Sequence, residues 1–137
     1  MKYLVMVLGK QSDYDAISGK SQDGPSWTQS ELKAMFEHMG AISDDLAEAG
    51  ELVDAQGLTE PAQARLVTAS KDGRPVVTDG PYGESKEVLA GYWVIDVENV
   101  DRATEVAARA YACPQPEGVP RYPVVVHPLD ESGGTEM

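Results

Sequence analysis

Residues 76–97 read VVTDGPYGESKEVLAGYWVIDV, and the other segments of the chain can be placed relative to them. From Val88 to Val97 the side chains alternate between two faces. One of these faces carries Leu89, Gly91, Trp93, Ile95 and Val97. This period of two, in a segment rich in β-branched and aromatic residues, predicts a long strand. The turn formers Gly80, Pro81 and Gly83 predict a tight loop before it.

The flanking segments alternate between strands and amphipathic helices. Strands are predicted at residues 2–8, 52–55 and 122–128, and helices at residues 28–49 and 99–110. The first helix begins at a capping box formed by Thr28 and Glu31, and Gly50 ends it. Its apolar face comprises Leu32, Met35, Phe36, Met39, Ile42 and Leu46. The second helix is capped by Asn99 or Asp101. Its inner face holds the small residues Ala103, Val106, Ala107 and Ala110.

These elements predict an α+β fold. Asp72-Gly73 lies between two short strands, residues 64–69 and 76–78, which is the signature of a β-hairpin. When this inserted hairpin is set aside, the order is βαββαβ, the ferredoxin-like arrangement. Both helices would cover one face of the sheet, so the other face would be an exposed apolar surface unless a second copy packed on it. We therefore expect a homodimer through the open sheet face.

Composition disfavours several classes of protein. The formal net charge of −12 disfavours direct binding to nucleic acid and to anionic membranes. No apolar run is long enough to span a bilayer, and the first residues lack the layout of a signal peptide. Cys113 is the only cysteine, so no intramolecular disulfide is expected. We therefore expect a cytoplasmic location. One domain is predicted over residues 1–130, followed by a disordered tail at residues 131–137.

His38 and Asp79 are the candidate catalytic residues. His38 lies on the flank of the apolar face of its helix, where a side chain can keep its body buried and its polar tip free, and histidine titrates near neutral pH. The alternative for His38 is a boundary residue hydrogen-bonded to a carboxylate or to water. Asp79 begins the turn-rich loop, where its carboxylate either accepts hydrogen bonds from loop amides or contacts a ligand.

The same loop supplies the candidate ligand-binding residues. Tyr82, Lys86 and Tyr92 are expected to form a pocket for a small polar or aromatic molecule, with Glu87 beside Lys86. Trp93 either joins this pocket or packs in the core. The histidines and acids show no spacing typical of zinc or iron ligands, so no metal is predicted, and nothing in the sequence points to a cofactor.

The polar residues 11–26 are predicted to form a loop. Asp13, Tyr14 and Asp15 follow the first strand, where loop residues often reach a site. Two acids are too few for a calcium loop, so Asp13 and Asp15 are expected to be solvated.

The motif Asp79-Gly80-Pro81-Tyr82, the Lys86-Glu87 pair and the strand that begins at Gly91-Tyr92 resemble the DGPF-motif branch of the YCII-related family. Phenylalanine is usual in that branch where this chain has Tyr82. The resemblance extends from the first strand to Val126. It implies a dimeric α/β barrel and a His–Asp dyad, for which His38 and Asp79 are the candidates here. The family is largely uncharacterised biochemically.

Three functional hypotheses follow from the sequence. The first is a small cytoplasmic homodimer that binds a small molecule in a pocket near the loop at residues 79–87, with acid–base chemistry by His38 or Asp79. The second, suggested by the resemblance, is a non-catalytic accessory or regulatory protein linked to an extracytoplasmic-function sigma factor. The third is an oxygenase or degradative isomerase, which rests on fold analogy alone.

Overall fold

The computed structural model describes residues 1–20, 24, 26–79 and 86–131, and of Asp79 it describes the backbone only. The strands are β1 (Lys2–Gly9), β2 (Leu52–Gly57), β3 (Arg65–Ala69), β4 (Pro75–Asp79), β5 (Val88–Asp96) and β6 (Val125–Pro128). The helices are α1 (Gln11–Ile17), α2 (Gln29–Glu48) and α3 (Val100–Tyr111), and a 3-10 turn covers Pro61–Gln63. None of the helices in the described ranges combines the length and hydrophobicity needed to cross a bilayer. The predicted tail lies outside these ranges except for Glu131.

The strands form an antiparallel sheet in the order β2-β5-β1-β6, and β3 and β4 form a separate two-stranded hairpin. The predicted long strand is β5, which pairs with both β1 and β2. Trp93 pairs with Val5 and Ile95 pairs with Tyr3 across β5 and β1. These four side chains are buried in one core with residues of α2 and α3. The α+β class is therefore confirmed, with helices on one face of the sheet.

Both predicted helices begin at caps named from the sequence. The Glu31 N–H donates to Thr28 Oγ1 at 3.2 Å, and the Thr28 N–H donates to the Glu31 carboxylate at 2.9 Å. Asn99 caps α3 by accepting a hydrogen bond from the Arg102 N–H at 3.0 Å. The small residues predicted for the inner face of α3 are all buried, namely Ala103, Val106, Ala107 and Ala110. Their size allows α3 to lie close to the sheet.

The prediction of a loop over residues 11–26 is wrong for its first part, because Gln11–Ile17 forms α1. Polar side chains stabilise this short helix. Asp13 Oδ2 accepts from the Lys10 N–H at 2.8 Å, and Asp15 Oδ1 accepts from the Gln11 side-chain amide at 2.9 Å. The expectation that Asp13 and Asp15 are solvated loop acids is therefore wrong, because both are half-buried, hydrogen-bonded residues of α1. The large apolar side chains of α1 are limited to Tyr14 and Ile17, and a segment of seven residues is too short for such a spacing to identify a helix from the sequence.

The last strand is shorter than the predicted residues 122–128 and begins at Val125. Pro123 has no N–H to donate to a neighbouring strand, so it limits pairing at this end. The Tyr122 hydroxyl instead donates to Asp13 Oδ2 at 2.7 Å. The segment between α3 and β6 therefore lies beside α1.

Candidate functional site

The N-terminal half of α2 packs less tightly on the sheet than the C-terminal half. Ile42 and Leu46 in the second half are each 1% exposed, whereas Phe36 in the first half is 64% exposed. The helix therefore presents an apolar face along its length but buries only part of it. The unburied part leaves space between α2 and the sheet.

A β-bulge puts small residues opposite this space. Val7 pairs with Gly91 and Leu8 pairs with Leu89, so Ala90 is an extra residue in β5. The bulge brings Ala90 beside Gly9, where a Cβ on the glycine would lie 3.3 Å from the alanine Cβ. Large helix residues that do not reach the sheet and small sheet residues below them together produce a cavity.

This cavity has a volume of about 310 Å³ and lies between α1, α2, the end of β1 and the segment that joins α3 to β6. Its aromatic lining consists of Tyr14, Trp27, Phe36, Tyr111 and Tyr122. Aliphatic and sulfur-containing side chains complete the walls, among them Ile17, Met35, Met39 and Cys113. A mainly apolar cavity with a few polar groups is the usual form of a small-molecule site.

Three polar side chains in the lining, Asp13, Tyr14 and Tyr122, form what we call the polar end of the cavity. Asp13 Oδ2 accepts from the Tyr122 hydroxyl at 2.7 Å and from the Lys10 N–H at 2.8 Å. The Lys10 ammonium lies 5.5 Å from the centroid of the Tyr122 ring, within the range of a cation–π contact. The Tyr14 hydroxyl donates to the Leu58 carbonyl at 2.9 Å, which joins α1 to the end of β2. These contacts hold the polar end in place.

Burial and the Asp13 carboxylate keep both phenols of the polar end protonated. Burial raises the pKa of Tyr122, and the hydrogen bond to Asp13 and the charges of Asp13 and Glu87 raise it further. Burial also raises the pKa of Tyr14, with the Asp13 charge as the second cause. A tyrosine is already a neutral phenol at neutral pH, and the raised pKa extends this protonated state of both side chains to more alkaline pH.

Cys113, the only cysteine of the chain, lines the same cavity and is 6% exposed. Burial raises the pKa of its thiol. A protonated, buried thiol is a packing group that reacts slowly with alkylating reagents, so its alkylation has to be followed over hours at alkaline pH. Because the thiol lines the cavity, a molecule bound there should slow the alkylation of Cys113.

A second cavity of about 400 Å³ continues along α2 toward β2. The two cavities share Val7, Phe36, Met39 and Ala90, so together they form one cleft between α2 and the sheet. Beside the cleft, the Trp93 indole N–H donates to Ser43 Oγ at 2.9 Å. Trp93 is 6% exposed and belongs to the core, and it also lines the second cavity, as does Tyr92.

His38 lies on the flank of α2 that faces α3. Its Nε2 is 2.7 Å from the Arg109 carbonyl oxygen, so Nε2 carries a proton and donates it. That carbonyl belongs to the last turn of α3, where carbonyls have no partner within the helix. On the same flank Asp45 Oδ2 accepts from the Arg109 guanidinium at 2.6 Å. His38 is not among the residues that line either cavity.

Asp79 and Tyr82 cannot be placed beside His38 from the described residues. The backbone of Asp79 pairs with Arg65 at the end of the hairpin. Its side chain, and all of Tyr82, lie outside the described residues. The dyad of His38 and Asp79 therefore stays a prediction.

The other predicted ligand-binding residues lie at two different places. Lys86 and Glu87 are exposed just before β5, and the charge of Glu87 acts on Tyr122 in the polar end. The Tyr92 hydroxyl donates to Asp54 Oδ2 at 3.0 Å. Tyr92 and the buried Trp93 are both among the residues that line the second cavity, and neither lines the first.

Residues 1–126 match the family described as the YCII-related domain. The chain belongs to the YCII-related family. Over 82 residues it is 30% identical to an uncharacterised protein of Rhizobium meliloti (strain 1021). That alignment covers 60% of this chain and 65% of the relative, so the match extends over less than two thirds of the relative's length. Membership of the YCII-related family is thus confirmed, and neither the family description nor the relative's description names a ligand or a reaction.

The sequence does not identify the polar end of this YCII-related protein as a unit. It singles out Asp13 and Tyr14 only because they follow the first strand, and it predicts Tyr122 to lie in the last strand. Asp13 and Tyr122 are 109 residues apart in the chain. The one available signal was Pro123, which limits strand pairing and leaves Tyr122 outside the sheet.

Proposed function

We propose that this YCII-related protein binds a small, mainly apolar molecule in the cavity between α1, α2 and the sheet. The observation that carries the proposal is the union of aromatic walls with a hydrogen-bonded polar end in one space of about 310 Å³. Apolar walls supply most of the affinity of such sites, and a few fixed polar groups orient the ligand. Asp13, Tyr14 and Tyr122 have the positions that this second role requires.

The proposed site lies near Glu87 and Val88, at the start of β5. Val88, the first residue after the loop at residues 79–87, pairs with Gly9, which lines the cavity. The charge of Glu87 also raises the pKa of Tyr122, so Glu87 is within electrostatic range of the polar end. Both observations support a pocket near the loop, although Lys86, Glu87 and Tyr92, which the sequence predicts for such a pocket, are not among the residues that line this cavity.

Acid–base chemistry by His38 and Asp79 is a separate proposal. Nε2 of His38 is engaged with the Arg109 carbonyl, so such chemistry would use Nδ1. The cavity and its polar end support binding independently of that dyad.

A thermal-shift screen combined with alkylation of Cys113 tests the binding proposal. A ligand of the folded state raises the apparent melting temperature by mass action. A ligand in this cavity should also slow the reaction of Cys113 with iodoacetamide, because the thiol lines the cavity. Compounds that stabilise the protein without protecting Cys113 bind elsewhere. A broad metabolite library that yields no protecting compound would contradict the proposal.

We also propose that the chain has the ferredoxin-like arrangement and forms a homodimer through the open sheet face, as in a dimeric α/β barrel. The strand order β2-β5-β1-β6 supports the arrangement. The pairs Leu4 with Val94 and Met6 with Tyr92 carry apolar surface on the face opposite the helices, which supports the dimer. Mass measurement by light scattering should give twice the chain mass, and Met6→Glu should give a monomer. Val100→Glu, at a residue 50% exposed outside this face, is the matched control.

Three finer assignments complete the proposal. Membership of the DGPF-motif branch rests on residues 79–87, and a cytoplasmic location rests on composition. A link to an extracytoplasmic-function sigma factor is the alternative function. Co-purification with such a factor, together with a cavity that takes no ligand, would favour the alternative.

A further inference from the structure

We infer that the ligand of this cavity is an aromatic molecule that presents a hydrogen-bond donor, a hydroxyl or an amine, to the polar end. The inference rests on the proposed function and names the chemical class of ligand for the same site. It follows from which hydrogen-bonding groups of Asp13, Tyr14 and Tyr122 are already engaged within the protein.

The donors of the polar end already have partners. The Tyr122 O–H donates to Asp13 Oδ2, and the Tyr14 O–H donates to the Leu58 carbonyl. A phenol has a single O–H, so each of these oxygens can offer a ligand only its lone pairs. Asp13 Oδ2 holds two hydrogen bonds, whereas Oδ1 has no partner among the described residues. The polar end therefore presents acceptors alone.

Gln115, which also lines the cavity, has the same character. Its side-chain amide donates to the carbonyls of Val119 and Pro120, at 2.8 and 3.1 Å, and leaves Oε1 as an acceptor. Two other lining residues, Trp27 and Arg121, have N–H groups that a ligand can use. The acceptor character thus belongs to the polar end and to Gln115, not to the whole cavity.

The charge of the polar end and the shape of the cavity walls narrow the class of ligand further. A ligand carboxylate at the polar end would face the Asp13 carboxylate, which is unfavourable for two like charges at short range. The Lys10 ammonium lies over the Tyr122 ring and is not part of the cavity lining. The Arg121 guanidinium does line the cavity, but it donates to the Tyr111 carbonyl and lies over the Tyr111 ring, so its contacts are with Tyr111 and not with the polar end. Aromatic side chains prefer stacked or edge-to-face contact with another ring, so the aromatic walls favour a flat aromatic frame.

Three probes with one ring system test the inference on the full chain: 2-naphthol, 2-naphthylmethylamine and 2-naphthoate. Their dissociation constants are measured by fluorescence titration, with protection of Cys113 from iodoacetamide as the check on location. We expect the hydroxyl or the amine to bind at least about tenfold more tightly than the carboxylate, since a hydrogen bond to a charged group is worth about that much. If 2-naphthol binds more tightly than 2-naphthylmethylamine, the preferred donor is neutral, and if the amine binds more tightly, the preferred donor is cationic.

Asp13→Asn should reduce this preference to about threefold or less, because the amide is uncharged and offers a donor of its own. Asp15→Asn is the matched control. It removes the same charge from α1 at a residue that contacts Gln11 and does not line the cavity, so the preference should stay unchanged.

Equal binding of the three probes to the unmodified protein, with Cys113 protected, would overturn the inference and leave the proposed function intact. Tighter binding of 2-naphthoate than of the other two probes would also overturn the inference and leave the proposed function intact. Failure of every probe to bind or to protect Cys113 would count against both. The comparison in the unmodified protein decides the matter even if Asp13→Asn does not fold.

Discussion

Replacing His38 with alanine separates a structural role of this histidine from a chemical one. The imidazole donates a 2.7 Å hydrogen bond to the Arg109 carbonyl in the last turn of α3. Alanine removes that donor and leaves the carbonyl to water. A hydrogen bond of this kind contributes about 0.5–1.5 kcal/mol to the free energy of unfolding. Because water can reach this exposed contact, we expect the lower half of that range, about 0.5–1 kcal/mol.

The expected change in melting temperature follows from the size of the chain. Unfolding entropy is about 2.1 cal/mol/K per residue, which for 137 residues gives about 0.29 kcal/mol/K. A loss of 0.5–1 kcal/mol therefore lowers the melting temperature by about 2–3.5 °C. His38→Gln keeps a side-chain N–H at a similar distance from the backbone, so it should recover most of this loss.

Thermal unfolding by circular dichroism and titration of a cavity ligand are measured on the same three proteins. Ligand affinity should be unchanged in both variants, because His38 lines neither cavity. An unchanged melting temperature together with a tenfold loss of affinity would refute the helix-capping explanation and assign His38 to the site. Equal destabilisation by glutamine and alanine would show that the ring, and not its N–H, provides the stability.

Three further substitutions test the fold. Gly91→Ala should lower the free energy of unfolding by about 1–3 kcal/mol, because the new Cβ would lie 3.1 Å from a backbone oxygen of β2. In urea denaturation, Gly57→Ala is its control, with open space at the same sheet edge, and equal losses would contradict this explanation. Hydrogen bonds from Arg102 lower the pKa of Glu51 from its usual 4.5. These hydrogen bonds therefore stabilise the folded protein fully above pH 4.5, and this stabilisation is lost as the pH falls through the folded-state pKa of Glu51. Glu51→Gln should therefore lower the melting temperature at pH 7 and much less at pH 2; a loss independent of pH would rule this out. Gly40→Ala, in α2 with open space around it, should raise the free energy of unfolding by about 0.5–1 kcal/mol, and a decrease in a thermal melt would be inconsistent with that.

Short-range patterns predicted most of the secondary structure. The alternation in residues 88–97 identified β5, the capping box at Thr28 identified the start of α2, and small residues identified the buried face of α3. Each of these signals is carried by residues within a few positions of one another. Their physical basis is local, either the period of a strand or helix or a cap that satisfies nearby N–H groups.

The candidate site depends on contacts that no local pattern encodes. Asp13 and Tyr122 meet only because α1 and the segment after α3 pack side by side, and α1 is too short for an apolar period to identify it. The apolar face of α2 reads as continuous, yet the sheet buries only its second half, since the bulge at Ala90 puts small residues under the first half. Local propensity therefore accounts for the elements of this YCII-related protein, and their packing accounts for the cavity, because a cavity is the space that neighbouring elements fail to fill.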